Sequence, residues 1–572
     1  MKWKRKKSKP IVDLDEILLD VSNLPSFNTE RLEGKRELPI NPLRVAAVGV
    51  MFLIVALGFF SKIYALQINE GARFREISDN NTVNKSVIIA ERGVVFDRND
   101  EPLIWNEYDF SQQYDFPVRA YTDRLGIGQL IGYVSYPQRD KKGIYYRTEY
   151  LGRTGVESAF EDVLHGVNGE KIIEVDALGE VVGEHALSAP TVGKTLKLSV
   201  DAGLSEALYQ VISTSSIKAG FRSGAGAIMD IHTGEIIAMT SYPSYDPEVM
   251  ADGDDTTLIS DYNKDDRLPF LNKVVSGVYV PGSIVKPFVA YVALQEKIID
   301  PNKVIVSTGR IVVPNPYNPD NPSYFNDWRA HGAVTMREAI AFSSNVYFYT
   351  IGGGFGDQPG VGITKMSENF RKFGMGSITG INIASEQLGV VPDPAWKQKV
   401  FDDDWRLGDT YFTSIGQYGF QTTPLQMLRA YAALANGGKL LTPHVVYGQV
   451  STSTDIGLNP AYLKIIYEGM RKTVNFPGGT ARGLEKDYVS IAAKSGTAEI
   501  GTGNAYVNSW AAGFWPYEDP QYAFILLMDK APRSNALGAT RIMGGVFDWM
   551  RDNRPQYVGI KPATTTSAQY VE

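Results

Sequence analysis

Three features of this sequence predict an α+β fold: an antiparallel sheet flanked by helices, on a β-rich spacer, behind one N-terminal transmembrane helix. The first is a single long apolar run near the start, Val45–Leu66. The second is a β-hairpin pattern at Ala225–Thr240, far removed in sequence from three more strand patterns between Ser490 and Met528. The third is what separates them, long stretches of helical periodicity with no regular strand–helix alternation. Strands that pair locally, with helices gathered between them, make an antiparallel sheet rather than a parallel βαβ one.

The chain has 572 residues, 44% of them hydrophobic, enough for roughly two to four ordinary domains. A net charge of −7 argues against nucleic-acid binding by the bulk of the chain. There is no cysteine, which excludes disulfides, thiolate catalysis and cysteine-ligated zinc. The five histidines (165, 185, 232, 331 and 444) are scattered without an i, i+4 pair, and no G-x-S-x-G elbow occurs. Asp327 and His331 have the spacing of a metal pair, but two ligands fall short of a site. No metal and no cofactor are expected.

Val45–Leu66 would span roughly 33 Å as a helix, sufficient to cross a bilayer core. The competing reading is a buried core helix. It is disfavoured because Val45–Phe60 is apolar all round, not on one face. Lys62, near the far end, can snorkel to the interface. Arg31, Lys35, Arg36 and Arg44 precede the run closely and predict a cytoplasmic N-terminus. A more distant basic group, Lys2 to Lys9, adds less. No A-x-A cleavage site follows, so the segment reads as an uncleaved single-pass anchor, with the remainder outside the cell membrane.

Beyond the anchor, Val94-Val95-Phe96 predicts a short strand and Arg98-Asn99-Asp100 a turn. Gly152 to Glu157 leads into a helical stretch ending at Leu164, with Gly166 and Gly169 after it. Lys171–Val175 and Gly193–Val200 read as strands. This spacer holds no catalytic constellation. A new domain begins near Leu196, with helical periodicity at Leu204–Ser213. The hairpin follows, Ala225–Ile231 and Glu235–Thr240, turning at His232-Thr233-Gly234. Val285–Leu294 and Val334–Phe342 read as helices. Thr423, Pro424 and Gln426 mark a helix start with a capping box, running to Ala435 and stopping at Asn436-Gly437-Gly438. Ser490–Ala493, Trp510–Phe514 and Tyr522–Met528 form an antiparallel meander, covered by a helix at Ile542–Arg551.

The chemistry is carried by three short elements in order: Ser283-Ile284-Val285-Lys286, Ser343-Ser344-Asn345 and Lys494-Ser495-Gly496-Thr497. Together they build a serine acyl-transfer site without histidine. Each alone is weak. S-x-x-K recurs at Ser215–Lys218, at a predicted helix end, and S-x-N recurs at Ser26–Asn28 and Ser78–Asn80. Only the first set has the right surroundings. Ser283 would open a helix, placing its own N–H and the positive end of the dipole near its hydroxyl. Lys286, three residues on, shares that face, and burial beside a second cation would make it a base. Ser343 can relay a proton, and Asn345 can hold Lys286 or accept a substrate amide. Lys494 supplies the second positive charge, Ser495 and Thr497 offer hydroxyls to a carboxylate, and Gly496 leaves room along a strand edge.

This triple motif resembles that of the penicillin-binding proteins and serine β-lactamases. The rest of the chain resembles class B penicillin-binding proteins. Arg92-Gly93-Val94-Val95-Phe96-Asp97-Arg98-Asn99 is similar to the opening motif of their non-catalytic pedestal, although Asp100 stands where glycine is common. Gly152 to Glu157 with Leu164, Gly166 and Gly169 is similar to a later pedestal motif. Tyr279-Val280-Pro281-Gly282-Ser283 and Ile415-Gly416-Gln417 with Thr423-Pro424-Leu425-Gln426 are similar to transpeptidase signatures. Trp396-Lys397 and Gly408-Asp409-Thr410 point to the elongation-type branch. Some relatives hold zinc near S-x-N through a cysteine, and this chain offers none for it.

The resemblance implies a penicillin-binding/β-lactamase-like transpeptidase domain and a division of the chain into five parts. These are a cytoplasmic tail (1–42), an anchor (43–67), a pedestal (68–195), a transpeptidase domain (196–555) and a flexible tail (556–572). It implies a peptidoglycan D,D-transpeptidase of cell-wall elongation and shape maintenance. Ser283 would be the nucleophile, Lys286 the base, Ser343 and Lys494 proton carriers, and Ser495 and Thr497 carboxylate binders. The N–H groups of Ser283 and Thr497 would form the oxyanion hole. Peptidoglycan stem peptides, β-lactam antibiotics and a SEDS-family glycosyltransferase in the membrane are the implied partners. A D,D-carboxypeptidase or β-lactamase-type hydrolase using the same serine is the alternative. A penicillin sensor or a non-catalytic scaffold fits less well.

Overall fold

The computed structural model describes residues 41–75, 83–108, 114–140, 145–175, 181–315, 318–383 and 385–560. The tail readings, at 1–40 and from Lys561 on, and the two stray S-x-N copies lie outside the described residues. The chain divides into two units, Met1–Asn84 and Lys85–Glu572.

In the first unit, helix α1 covers Pro42–Tyr64 and continues through a π-helical turn at Ala65–Asn69. Asn41 caps it, its side-chain oxygen accepting the Leu43 N–H, and Pro42 opens the first turn, where a missing N–H costs nothing. Pro42–Asn69 spans 28 residues with a mean hydropathy of 2.4 and no buried side chain. Its length and composition suit a bilayer crossing.

In the second unit, the described residues up to Lys197 form short strands and three short helices, Gly128–Ile131, Gly155–Ala159 and Glu161–Leu164. A four-stranded sheet holds Val95–Phe96, Pro102–Glu107, Val118–Tyr121 and Leu196–Lys197. Asp100 adopts φ +65°, the left-handed turn geometry that glycine takes easily and Asp tolerates. The two resemblance-bearing motifs meet here through charge. Arg92 Nε donates to Glu157 Oε2 at 3.0 Å, Arg119 Nε to Glu157 Oε1 at 2.8 Å, and Arg92 Nη1 to Glu161 Oε1 at 2.9 Å. Arg92, Arg119 and Glu157 are fully buried. Although burial opposes it, Glu157 and Glu161 together raise the Arg92 pKa above its ordinary value.

From Ala202 the predicted sheet and its helices appear in chain order. Helix α2 covers Ala202–Ala219, then strands β1 (Ser223–Asp230) and β2 (Ile236–Tyr242) form the hairpin. Helices α3 (Lys286–Gln295), α4 (Met336–Phe342), α5 (Asn345–Gly353), α6 (Pro424–Ala435) and α7 (Pro460–Asn475) follow. Strands β3 (Ala492–Ile500), β4 (Tyr506–Trp515) and β5 (Tyr522–Pro532) and helix α8 (Ala539–Asn553) complete it. The sheet order is β2-β1-β5-β4-β3, antiparallel throughout. Alternate residues feed two cores. Phe524, Leu526 and Met528 pack under α2 and α8, and Ile525 and Leu527 pack beneath α6 on the other face. A strand buried on both sides explains the continuous apolar run there.

Three boundaries differ from the sequence reading. Val334 ends a short strand instead of starting a helix, because Thr335 and Glu338 form the capping box that starts α4. The capping box expected at Thr423 is half made. Thr423 Oγ accepts the Gln426 N–H, but the Gln426 amide donates to the carbonyls of Ser377, Gln387 and Leu388. Gly193–Val200 is a strand only at Leu196–Lys197.

Candidate active site

The site is assembled where the edge strand β3 meets the start of α3. Gly282–Val285 is a single 3₁₀ turn, and Lys286 begins the α-helix proper. The sequence predicted an α-helical start at Ser283; the tighter turn still eclipses residues i and i+3, so Ser283 and Lys286 share one face. That turn is held from three directions. Gly282 N–H donates to Gly416 O at 2.9 Å, Trp510 Nε1 donates to Val280 O at 3.0 Å, and Tyr279 exchanges backbone hydrogen bonds with Thr422. Gly416 must be glycine: its φ is +75°, and a Cβ there would stand 2.2 Å from Gly282 O. Ser283 itself is half-buried.

Ser343 and Asn345 come from a joint between two helices, not from the end of one. Ser343 ends α4 in the left-handed region, φ 56°. Ser344 then caps α5, its Oγ accepting the Tyr347 N–H, so that Asn345 is the first residue of α5. The joint receives Lys286. Its Nζ donates to Ser343 O at 2.7 Å and Asn345 Oδ1 at 2.7 Å, and lies 3.3 Å from Ser343 Oγ. Burial pushes the Lys286 amine down to about 7, against the upward pull of the Asp327 carboxylate. A neutral amine has two N–H bonds, matching the two short contacts, and one lone pair left for a proton.

Lys494 is completely buried on β3, its Nζ donating to Ser495 O at 2.9 Å. Burial first, and then the Lys286 charge, drives its pKa far below the ordinary lysine value. Gly496 is buried against Ile284 and Trp510; a Cβ there would lie 2.9 Å from Ile284 Cγ2. Thr497 is exposed. The Ser495 hydroxyl is not free: it shares a 2.6 Å hydrogen bond with Thr480 Oγ1. β3 is the last strand of its sheet, so its outer edge is open to an extended peptide.

Two groups escaped the sequence reading. Thr480 belongs to no motif and had no signal. Asp327 drew notice only as half of a metal pair. Its side chain is fully buried, and Oδ2 accepts Ser344 Oγ at 2.8 Å, Val346 N–H at 3.0 Å and Ser307 Oγ at 3.2 Å. His331 Nε2 stands 3.5 Å from Oδ1, too far for a full hydrogen bond. Among the described residues no third ligand joins them. The Ser215–Lys218 copy of S-x-x-K lies in the last turn of α2, with Lys218 in solvent.

Residues 224–544, more than half the chain, match the penicillin binding protein transpeptidase domain, and residues 112–198 match the penicillin-binding protein dimerisation domain. The chain belongs to the penicillin-binding protein family. It is a class B member, similar to PBP2. A relative from Acinetobacter baumannii named peptidoglycan D,D-transpeptidase MrdA is 32% identical, covering 76% of this chain and 68% of its own. PBP2 of Helicobacter pylori, solved with MreC, superposes with a TM-score of 0.67 at 26% identity, over 82% of this chain and 99% of that one. A chain of a peptidoglycan synthase complex, solved for the coordination of polymerization and crosslinking, gives 0.67 at 25% identity, over 91% and 99%.

Proposed function

We propose that this chain is a peptidoglycan D,D-transpeptidase of cell-wall elongation and shape maintenance, working through a Ser283 acyl-enzyme. The Lys286 amine takes the Ser283 proton as Oγ bonds to the carbonyl of the penultimate D-alanine. The N–H groups of Ser283 and Thr497 stabilise the oxyanion. The C–N bond to the terminal D-alanine breaks, and its nitrogen takes a proton through Ser343 and the Lys286/Lys494 pair. An amine of a neighbouring stem peptide then attacks the ester, forming the crosslink as the proton returns to Oγ. Thr497 binds the donor carboxylate, Ser495 supports it from the Thr480 side, and Asn345 holds Lys286. Gly496 leaves room for Ile284 and Trp510, rather than for the donor backbone, so that the turn carrying Ser283 packs against β3. β-Lactams acylate the same oxygen.

The observation that carries this reading is the Lys286 amine, brought near neutrality by burial and fixed by Ser343 O and Asn345 Oδ1. The domain division is proposed as 1–42, 43–67, 68–195, 196–555 and 556–572, with the N-terminus cytoplasmic and the catalytic region outside. A SEDS-family glycosyltransferase in the same membrane is the proposed partner, docking on the anchor and pedestal. The neighbours solved with MreC and in a synthase complex support a place in such an assembly.

The test is incubation of the full-length protein in detergent with a fluorescent penicillin, beside Ser283→Ala, read by intact-mass spectrometry. A single lasting adduct absent from Ser283→Ala is the expected result. Rapid drug loss without an adduct would favour the hydrolase, and neither adduct nor drug loss in folded protein would leave a scaffold.

A further inference from the structure

We propose that Asp327 is a positioning residue for the acylation step: its buried carboxylate clamps the Ser343-Ser344-Asn345 joint from behind, and the joint in turn fixes the Lys286 amine. The inference rests on reading Lys286 as the base. The two short bonds to Lys286 Nζ come from the residues on either side of Ser344, namely Ser343 O and Asn345 Oδ1. Ser344 itself turns away, donating its hydroxyl to Asp327 Oδ2. The same oxygen accepts the Val346 N–H in the first turn of α5, where a carboxylate is favoured by the helix dipole. Asp327 follows the strand Ser323–Asn326, which pairs with Arg310–Val313; its N–H donates to Gly309 O and its Oδ1 accepts the Trp328 N–H.

Charge leads to the same residue. Among the described residues, Lys494 on β3 and Asp327 are the charged groups that act on Lys286, with the Phe348 ring 5.4 Å from its Nζ. Around Asp327 lie Ser307, Ser344, His331 and the buried Tyr349. His331 Nδ1 accepts from Arg329 Nε, leaving Nε2 to carry the ring proton toward Asp327. Against the upward push of burial, the His331 ring, the Asn345 and Val346 N–H groups and the Lys286 charge hold the Asp327 carboxyl far below its usual range. It therefore stays ionised throughout the working pH range. One fixed anion faces two amines that cannot both hold a proton comfortably, and it biases the shared proton toward Lys286 and away from Lys494.

The test is the second-order rate of acylation of full-length protein by a fluorescent penicillin, from pH 5.5 to 9. Wild type, Asp327→Asn, Asp327→Glu and Ser344→Ala are compared, each with its melting temperature. Asp327→Asn is expected to lower the high-pH plateau about 10-fold and to move the midpoint toward acid by about one pH unit. Ser344→Ala, which keeps the charge, is expected to lower the plateau and leave the midpoint in place. Asp327→Glu is expected to restore the midpoint even where packing suffers. A folded Asp327→Asn with the wild-type plateau and midpoint overturns the proposal. Should that variant fail to fold, a shifted midpoint in Asp327→Glu overturns it, and an unshifted one supports it. A wild-type profile without a midpoint would instead defeat the reading of Lys286 as base.

Discussion

Two buried charge clusters, some distance apart in the same unit, are built on opposite rules. In the β-rich stretch before Lys197, Arg92, Arg119, Glu157 and Glu161 balance to zero, and each guanidinium has a carboxylate in bonding contact. In the cleft, Lys286 and Lys494 are equally buried, and neither has a carboxylate within bonding distance among the described residues. The first arrangement holds opposite charges in contact and locks two motifs together; in the second, burial pushes both amines toward losing a proton. Burial alone is therefore no guide to role. What separates a strut from a reactive group is whether the counter-charge is supplied.

The contrast is sharpest when one charge is removed from each cluster. Lys286→Met should lower acylation by about 10²- to 10⁴-fold, the usual span for a lost general base, and should raise the melting temperature by relieving a buried cation. Wild-type labelling, or a lower melting temperature, would show that the amine is structural. Glu157→Gln should do the reverse. It leaves Arg92 with Glu161 alone and Arg119 with no carboxylate in contact, and should cost about 3–5 kcal/mol in denaturant unfolding. The fraction that stays folded should be labelled by penicillin at the wild-type rate. A neutral effect on stability would dissolve the distinction between the clusters.

Proton linkage gives a smaller signal of the same kind. With Lys286 near 7 in the folded chain and about 10.4 when unfolded, the unfolded state binds more protons between those values. Stability should therefore rise with pH across that window, and Lys286→Met should lose that component. Acylation should climb through pH 7 and then level off. A flat stability difference between wild type and variant across pH 7 to 10 would contradict the shift. The smallest effect is expected from Thr480→Val, which removes the hydroxyl bonded to Ser495. A fall of about 10-fold or less in acylation, with an unchanged pH midpoint, would place Thr480 outside the proton path.

Most of the framework was legible in the sequence because it is periodic. The hairpin, the meander, α2, α6 and α8 carry their own patterning, and Ser283, Lys286 and Lys494 were marked by order and context. The joint at Ser343–Asn345 was not legible, since a single left-handed residue between two helices leaves no periodic trace. The 3₁₀ turn under Ser283 is imposed by Gly416, Thr422 and Trp510, far away in the chain. Asp327 and Thr480 act through contacts that only folding creates. Their side chains are common ones, and nothing adjacent in sequence singles them out.

The wall beside Ser283 has an evolutionary consequence. It is built of main chain, with Gly416 pressed against Gly282 too closely for any Cβ. Selection has no side chain there to exchange, and any substitution at Gly416 displaces the turn that carries the serine. Variation that survives in this chain should therefore leave the backing of Ser283 unchanged and fall elsewhere.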